Sequence, residues 1–375
     1  MNFLAFLLIT TASLSVGAST IEEIMVTADL KEQSEIKIAS SIFIVSEEAI
    51  ATRGAMHLEE VLNAIPNLNF ASGSNRPRFF QIRGVGERSQ FGSPVNASVG
   101  FLVDDIDFSG AGTIASMLDV EQIEVLRGPQ GTRYGASALG GLIKVKTKDP
   151  SSEQELELKI THGQYATQNF DLIINTPVSA QLLLRAAFSD HESDGYMYNQ
   201  FLDRNDANGR NESTSRIKMR WLPSNRWVVD VSLANTEVDN GYDTFSLDNN
   251  RVTLSDEPGF DRQKSRYASI KSKWLGQNYE ITTILGAANS DIDYGYDEDW
   301  SFTGIHPFGY TSTDRYLRER KTRSAELRIN SLSEFSWVAG FYFFDSNEDL
   351  LRDYTFLTSN FSSNYEFKSY AVFAE

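Results

Sequence analysis

The chain has 375 residues, no cysteine and a formal net charge of −17. Without thiols there is no disulfide framework and no thiolate metal centre. The acidic balance argues against a nucleic-acid binder, because phosphate partners demand a basic face, and the length predicts more than one structural unit.

Residues 1–18 read as a secretory signal, with an apolar run over 3–11 followed by the small residues Val16, Gly17 and Ala18. The run is too short to cross roughly 30 Å of hydrocarbon. Next comes IEEIMVTA, residues 21–28, an extended segment able to add a strand to a partner's sheet through main-chain hydrogen bonds. A strand is predicted over 40–45. Ser46 is placed to cap a helix whose first turn holds Glu47 and Glu48, where the helix dipole favours acids. A second helix over 58–64 ends before Pro66. Asn67 tolerates a left-handed φ, so a turn is expected there. Two further strands are predicted over 79–83 and 99–103.

Asp104, Asp105 and Asp107 gather three carboxylates. Lacking a glycine-containing calcium loop or a partnering histidine, they read as a solvated strand end rather than a metal site. Residues 119–148, DVEQIEVLRGPQGTRYGASALGGLIKVKTK, carry a strand pattern at each end. Between the strands lie Gly128, Gly131, Gly135, Gly140 and Gly141, a density that implies close backbone approach or positive φ. Known glycine loops do not fit. Gly140 is followed by Gly141 and Leu142 rather than Lys-Ser/Thr, and Gly135-Ala136-Ser137-Ala138 runs into Leu139 rather than glycine. After Gly84-Val85-Gly86, Ser89 replaces the third glycine of a dinucleotide loop. The four histidines His57, His162, His191 and His306 are scattered, with no nucleophile motif beside them.

Beyond Pro150 the pattern changes to period-two runs at 156–160, 170–174, 182–188, 217–222, 227–234, 267–275, 279–287, 324–329, 335–344 and 367–373. Segments of about ten residues with this period, and aromatic residues near their ends, suit transmembrane β-strands. Tight connections at 223–226, 276–278 and 331–334 contrast with long polar stretches at 190–214, 236–265, 289–321 and 345–365, as expected of the two rims of an outer-membrane barrel.

The stretch Glu121 to Lys148 resembles the plug signature of TonB-dependent outer-membrane receptors, E-x-I-E-V-L-R-G-P-Q-G-T-x-Y-G-x-x-x-x-G-G-x-I-x-x-x-T-K. Ile82-Arg83-Gly84 and Val99-Gly100-Phe101-Leu102-Val103-Asp104 resemble two more of the family's motifs, with Asp105 where a glycine is usual. The resemblance implies a mixed α/β plug domain over 39–150, followed by antiparallel transmembrane β-barrel strands over 151–375. It also implies a flexible TonB-box segment over 19–38, centred on Ile24, Met25, Val26 and Thr27. Arg83, Gly84, Arg127 and Gly128 become the expected plug–barrel contacts, the arginines pairing with glutamates of the inner wall. Apical plug loops at 71–78, 86–97 and 108–114 would face the ligand, with Arg76, Arg78, Arg88 and Gln90 as donors to an anionic chelate.

The family's activity is energised uptake across the outer membrane. That makes TonB and its inner-membrane complex, a small ligand, membrane lipid and lipopolysaccharide the expected partners. No enzyme activity and no cofactor are implied. Phe341-Tyr342-Phe343 and residues 324–329 resemble the iron-complex receptor group, which points to a ferric siderophore. About ten strands are predicted where plugged transporters use about 22, so an incomplete barrel is expected. The alternative is a truncated module that binds TonB without transport.

Overall fold

A computed structural model describes residues 25–26, 33–34, 41–72, 76–87, 97–130, 138–307, 309–333, 335–356 and 360–374. The signal region lies outside these. At the start, β1 (Met25–Val26) pairs antiparallel with β2 (Gln33–Ser34).

The first unit is built on β3 (Ile42–Ser46), β6 (Val99–Val103), β7 (Ile106–Asp107), β8 (Val120–Arg127) and β9 (Gly141–Thr147), in the order β3-β8-β9-β6-β7. β6 runs parallel to β9, the other pairs antiparallel. Every residue of β6 is buried, as expected of a strand covered on both faces. Helix α1 (Glu47–Arg53) starts where expected, with Ser46 Oγ accepting from Ala49 N at 3.3 Å. It ends at Gly54 with φ 62°, the left-handed cap that glycine adopts without steric cost. Helix α2 (Glu59–Leu62) is shorter than its pattern suggested. β4 (Leu68–Ala71) and β5 (Phe79–Ile82) form a separate hairpin reached through Asn67, whose φ is 62°.

Phe80, Ile82, Phe101, Ile123, Val125, Ile143 and Val145 are almost fully enclosed in one core with Leu58, Val61 and Leu62. Each contributes about 1.5–3 kcal/mol by burial. The glycine-rich stretch serves this packing. A Cβ on Gly141 would lie 2.5 Å from Leu126 O and 2.7 Å from Ile82 Cδ1, so β9 starts where only glycine fits.

The second unit is one sheet of ten antiparallel strands: β10 (Glu155–His162), β11 (Gln168–Ser179), β12 (Leu182–Ser193), β14 (Arg210–Ser224), β15 (Trp227–Gly241), β17 (Phe260–Leu275), β18 (Tyr279–Asp297), β19 (Thr313–Ser331), β20 (Val338–Tyr354) and β21 (Phe361–Ala374). Among the described residues the sheet is open, with β10 and β21 at its edges. Between these strands, β13 (Tyr198–Asn199) and β16 (Val252–Thr253) pair in parallel and join two of the long loops.

The two faces differ in chemistry. Leu158, Ile217, Leu233, Ile270, Leu285, Leu327, Phe341 and Val372 are exposed on one side. Register brings them abreast, Ile217 opposite Leu233, Ile270 opposite Leu285 and Leu327 opposite Phe341. The other side buries Arg185, Thr214, Arg216, Lys218, Ser265 and Thr322 against the plug. An apolar outer belt over a polar interior is the transmembrane barrel arrangement. Trp221–Trp227 and Trp274–Tyr279 pair beside the short turns, at 6.1 and 5.8 Å.

The strands run further than expected, and the long loops shrink to 194–209, 242–259, 298–312 and 355–360. β18 and β19 each have 19 residues, whereas about 9–11 span a bilayer. Beyond the lipid both faces meet water, so the period-two signal fades and the sequence reads as a polar loop. Cross-strand ion pairs replace it, as in Arg315 to Asp293 at 2.7 Å.

Candidate functional site: the seam between plug and wall

The hairpin joining β6 to β7 turns on Asp104 and Asp105 alone, since Val103 pairs with Ile106. Their φ values are 50° and 76°, the positive pair that a two-residue hairpin turn requires. Two L-residues held there cost about 1–2 kcal/mol each. Their carboxylates offset this. Asp104 accepts from Thr147 N at 2.9 Å and Thr147 Oγ1 at 2.6 Å, with the wall residues Tyr267 and Lys218 each at 3.3 Å. Asp105 is bound by Lys144 at 2.9 Å within the plug and by Lys271 of the wall at 3.0 Å. Burial alone would raise the Asp105 carboxyl, but Lys144 and then Lys271 hold it well below the usual carboxylate range.

Nearby, Arg320 of β19 holds Asp107 at 2.8 Å, and Arg185 of β12 forks onto Asp119. Other wall side chains cap plug carbonyls: Arg216 to Leu118 O, Lys218 to Thr147 O, Gln263 to Ala111 O and Arg318 to Gly110 O. The carboxylates at 104, 105 and 107 are therefore not a solvated strand end. They are half-buried anchors whose wall partners lie more than a hundred residues away. Among the described residues, no group of three or more His, Cys, Asp or Glu is arranged to hold a metal.

Nearer the long loops the polarity reverses. Arg76 lends Nε and Nη2 to Glu212 of β14 at 2.7 and 2.9 Å, and Nη1 to Glu59 of α2 at 2.5 Å. Arg78 binds Asp261 of β17 and stacks its guanidinium 4.1 Å from the Tyr294 ring centre. Both arginine side chains are 1% exposed. The sequence placed them as open donors in an apical loop. Instead they face carboxylates of the wall, because a guanidinium taken out of water needs a partner there. Arg88 and Gln90 lie outside the described residues.

Arg83 and Arg127 do not make the expected wall contacts among the described residues. Arg83 is exposed, has φ 53° and donates Nη2 to Ser41 Oγ at 3.2 Å. Arg127 donates its backbone N–H to Ser41 O at 2.8 Å, while its Nε is buried without a hydrogen-bond partner. Gly84 and Gly128 have φ 81° and 128°, and a Cβ on either would touch nothing within 4 Å. Arg83, Gly84 and Gly128 take positive φ inside the plug, and Arg127 ends β8 opposite Gly141. Among the described residues, plug carboxylates that meet the wall are Asp104, Asp105, Asp107 and Asp119, whose wall partners are distant in the chain.

His57 ties the start of α2 to the plug loop at 108–114. It is 2% exposed, and its Nε2 lies 3.0 Å from Thr113 O. Burial, then the Arg76 charge, pushes the imidazole down to about 4.

Above the plug loop at 108–114 the wall is aromatic. Tyr294 stacks on Tyr316 at 5.0 Å, Tyr242 on Tyr296 at 5.3 Å and Phe245 on Trp300 at 4.8 Å. Tyr242, Tyr294, Tyr316, Ile292 and Leu350 pack with Ala111 of the plug. A cavity of about 790 Å³ adjoins this cluster, with Gln263, Ile292, Arg318 and Leu350 among its lining residues. The sequence missed these aromatics because they lie in the stretches that read as loops.

Residues 34–142 match the TonB-dependent receptor plug domain family. These residues are a TonB-dependent receptor plug. That family is one of receptors and transporters, not of enzymes. The pesticin receptor of Yersinia pestis is 27% identical over 295 residues, 76% of this chain and 40% of that protein. A ferric enterobactin receptor of Pseudomonas aeruginosa is 28% identical over 318 residues, 80% of this chain and 40% of that protein. The chain thus spans about two-fifths of the length of these curated relatives. Among solved structures, the ferric yersiniabactin uptake receptor of Yersinia pestis superposes with a TM-score of 0.77 at 22% identity, covering 89% of this chain and 53% of that one. For the ferripyoverdine receptor of the Pseudomonas aeruginosa outer membrane the TM-score is 0.72 at 15% identity, with 90% and 46% covered. Both likenesses concern the fold. Ahead of this plug, Met25 and Val26 of the expected TonB box form β1, and Ile24 and Thr27 lie outside the described residues.

Proposed function

We propose that this protein takes up a scarce ligand, a ferric siderophore, across the bacterial outer membrane by TonB-dependent active transport. The observation that carries the reading is the plug itself, held against the polar face of a barrel sheet by ion pairs and carbonyl contacts, with small apolar contacts such as Leu118 against Ile173 and Ala187 between them. Such contacts fix register firmly yet exchange for water when the plug is pulled, which an energised transporter needs and a permanent core does not. A passive porin would have no use for this arrangement.

Two relatives of Pseudomonas aeruginosa are named as ferric enterobactin receptors, and two of Vibrio vulnificus as vitamin B12 transporters. The iron reading follows the resemblance of residues 324–329 and 341–343 to the iron-complex receptor group. TonB would engage the segment Ile24–Thr27 by strand addition, and the inner-membrane proton gradient would supply the work. The test is transcript level and growth under iron limitation, with uptake of ⁵⁵Fe-loaded siderophores in cells with and without the gene. Induction by iron starvation and gene-dependent uptake are expected. Control by cobalamin or by a sugar, with no iron phenotype, would overturn the choice of ligand.

A further inference from the structure

We propose that the outward face of β17–β21, above the apolar belt, binds a phosphorylated glycolipid of the outer leaflet, a lipopolysaccharide, with Arg266, Arg323 and Lys368 as its phosphate donors. The inference does not depend on which cargo the protein carries.

The outward side chains of these strands change chemistry in tiers. The belt ends at Ala268, Ala287, Ala325, Phe343 and Tyr370, and the next outward positions towards the long loops are Arg266, Asn289, Arg323, Asp345 and Lys368. Register sets Arg323 opposite Asp345 and Asp345 opposite Lys368. Even so, neither cation makes an ion pair or hydrogen bond among the described residues, and both are exposed. Exposed Arg266 donates Nε to the amide of Asn235 at 3.1 Å. One step higher the cations are already matched, Lys321 with Glu319 and Lys264 with Glu237. The equivalent belt-edge positions on β12, β14 and β15 are Asp190, Ser215 and Asn235, none of them basic. In a chain of net charge −17, three exposed cations gathered on one sector at the lipid's edge complement an anionic headgroup.

Beyond them lies a third tier. Leu317 and Leu351 stand opposite each other about 20 Å further along β19 and β20, and Leu351 is 41% exposed where the strand has left the lipid. Both line the cavity of about 790 Å³, together with the outward residues Arg262, Lys264, Asp291 and Asp349. Its inward lining residues Gln263 and Ile292 are buried, so this cavity opens away from the plug. A second cavity, of about 550 Å³, shares Arg262 and adds Glu192, Asp239 and Phe260. Apolar side chains set among carboxylates and guanidinium groups suit sugar rings, which present C–H faces and hydroxyl edges. A lipid with phosphates between its acyl chains and its sugars matches all three tiers. A glycerophospholipid matches the lower two, and free phosphate the middle one alone.

The test takes the protein purified from outer membranes, freed of lipid in detergent, and counts bound lipid by native mass spectrometry during titration. The probes are lipopolysaccharide with its core sugars, bisphosphorylated lipid A, the same lipid A stripped of phosphate, and phosphatidylglycerol. Core-bearing lipopolysaccharide is expected to bind tightest, lipid A next, and the other two more weakly. Arg323→Gln/Lys368→Gln should weaken both phosphorylated glycolipids about 20-fold, the scale of two cations at an anionic lipid surface. It should leave dephosphorylated lipid A unchanged. Leu317→Ala/Leu351→Ala should instead erase the advantage of the core-bearing form over lipid A. All four side chains lie on the outward face, away from the plug core, so these substitutions spare the fold. Equal affinity for lipid A with and without phosphate, or unaltered titrations in the Arg323/Lys368 variant, overturns the proposal. Phosphatidylglycerol binding as tightly as lipopolysaccharide, or full competition by inorganic phosphate, overturns it too, since either would leave the sugar tier without a role.

Discussion

Arg185 of the wall and Asp119 of the plug meet as two forks, Nε to Oδ2 at 2.7 Å and Nη2 to Oδ1 at 2.6 Å, each side chain 3% exposed. Asp119 also has φ 53°, a conformation that asparagine shares but most residues avoid. Asp119→Asn therefore removes the charge while sparing the backbone. Arg185 keeps Glu155 at 2.8 Å as its remaining carboxylate, so the loss should cost about 1–3 kcal/mol of plug docking. Hydrogen exchange should show β8 and β9 losing protection in the variant, with partial recovery in Asp119→Asn/Arg185→Gln. Unchanged protection would mean that the pair holds nothing.

The turn at Asp104 and Asp105 sets strain against charge. Asp105→Gly relieves about 1 kcal/mol of left-handed strain, but it strips Lys144 and Lys271 of their shared carboxylate. The charge term should win, because breaking a buried pair costs more than the strain released. Urea unfolding should give Asp105→Gly a lower midpoint than the parent, with Asp105→Asn lower still because it keeps the strain and loses the charge. A higher midpoint for the glycine variant would show that strain dominates.

His57 gives the plug a pH window of its own. Its folded value of about 4 lies below the ordinary 6.5, so between those values the unfolded chain takes up a proton that the folded plug excludes. Stability should therefore fall as pH drops from 6.5 towards 4, by up to about 3 kcal/mol. The charged groups acting on it are Arg76, Glu59 and Glu212. Glu59 and Asp105, whose values are lowered, withdraw their contribution only as pH falls through their own folded values. His57→Gln should flatten the profile between 6.5 and 4 in thermal melts and leave the steeper acid limb in place.

Much of the architecture was readable because local rules and tertiary packing agree. Ser46 caps α1, Asn67 turns left-handed, and the ten period-two runs correspond to the ten strands. The strand ends above the membrane were lost because water on both faces erases alternation. The seam was lost for a different reason. Asp104 and Asp105 are ordinary turn residues by sequence, and only the folded barrel brings Lys218 and Lys271 to them. Arg83 and Arg127 stood out through motif resemblance, whereas Arg76 and Arg78 reach the wall from an unpatterned loop.

Val26 pairs with Gln33 in β1–β2, and the strand-addition reading requires its backbone N–H to be free for a partner on energised uptake. Val26→Pro removes that donor and fixes φ. Cells carrying it should bind a labelled ferric complex at the surface as well as the parent, yet accumulate no more than cells poisoned with a protonophore. Normal accumulation would remove strand addition from the mechanism.

Gly286 of β18 leaves room on the wall for Ile106 of the plug. A Cβ there would lie 2.3 Å from Ile106 Cδ1 and 2.8 Å from Ser324 Oγ. Ser324 can rotate, but Ile106 is 2% exposed in the plug core and has little room to withdraw. Gly286→Ala should therefore lift the plug from the wall at a cost of about 1–3 kcal/mol. Ile106→Val deletes the obstructing methyl and alone should cost about 0.5–1.5 kcal/mol. In the double variant Gly286→Ala/Ile106→Val the two costs should not add, and a positive coupling of about 1 kcal/mol or more is expected between them. Protease sensitivity of the plug across the four proteins of this cycle measures the coupling. Strict additivity would show that Gly286 serves the strand rather than the seat of the plug.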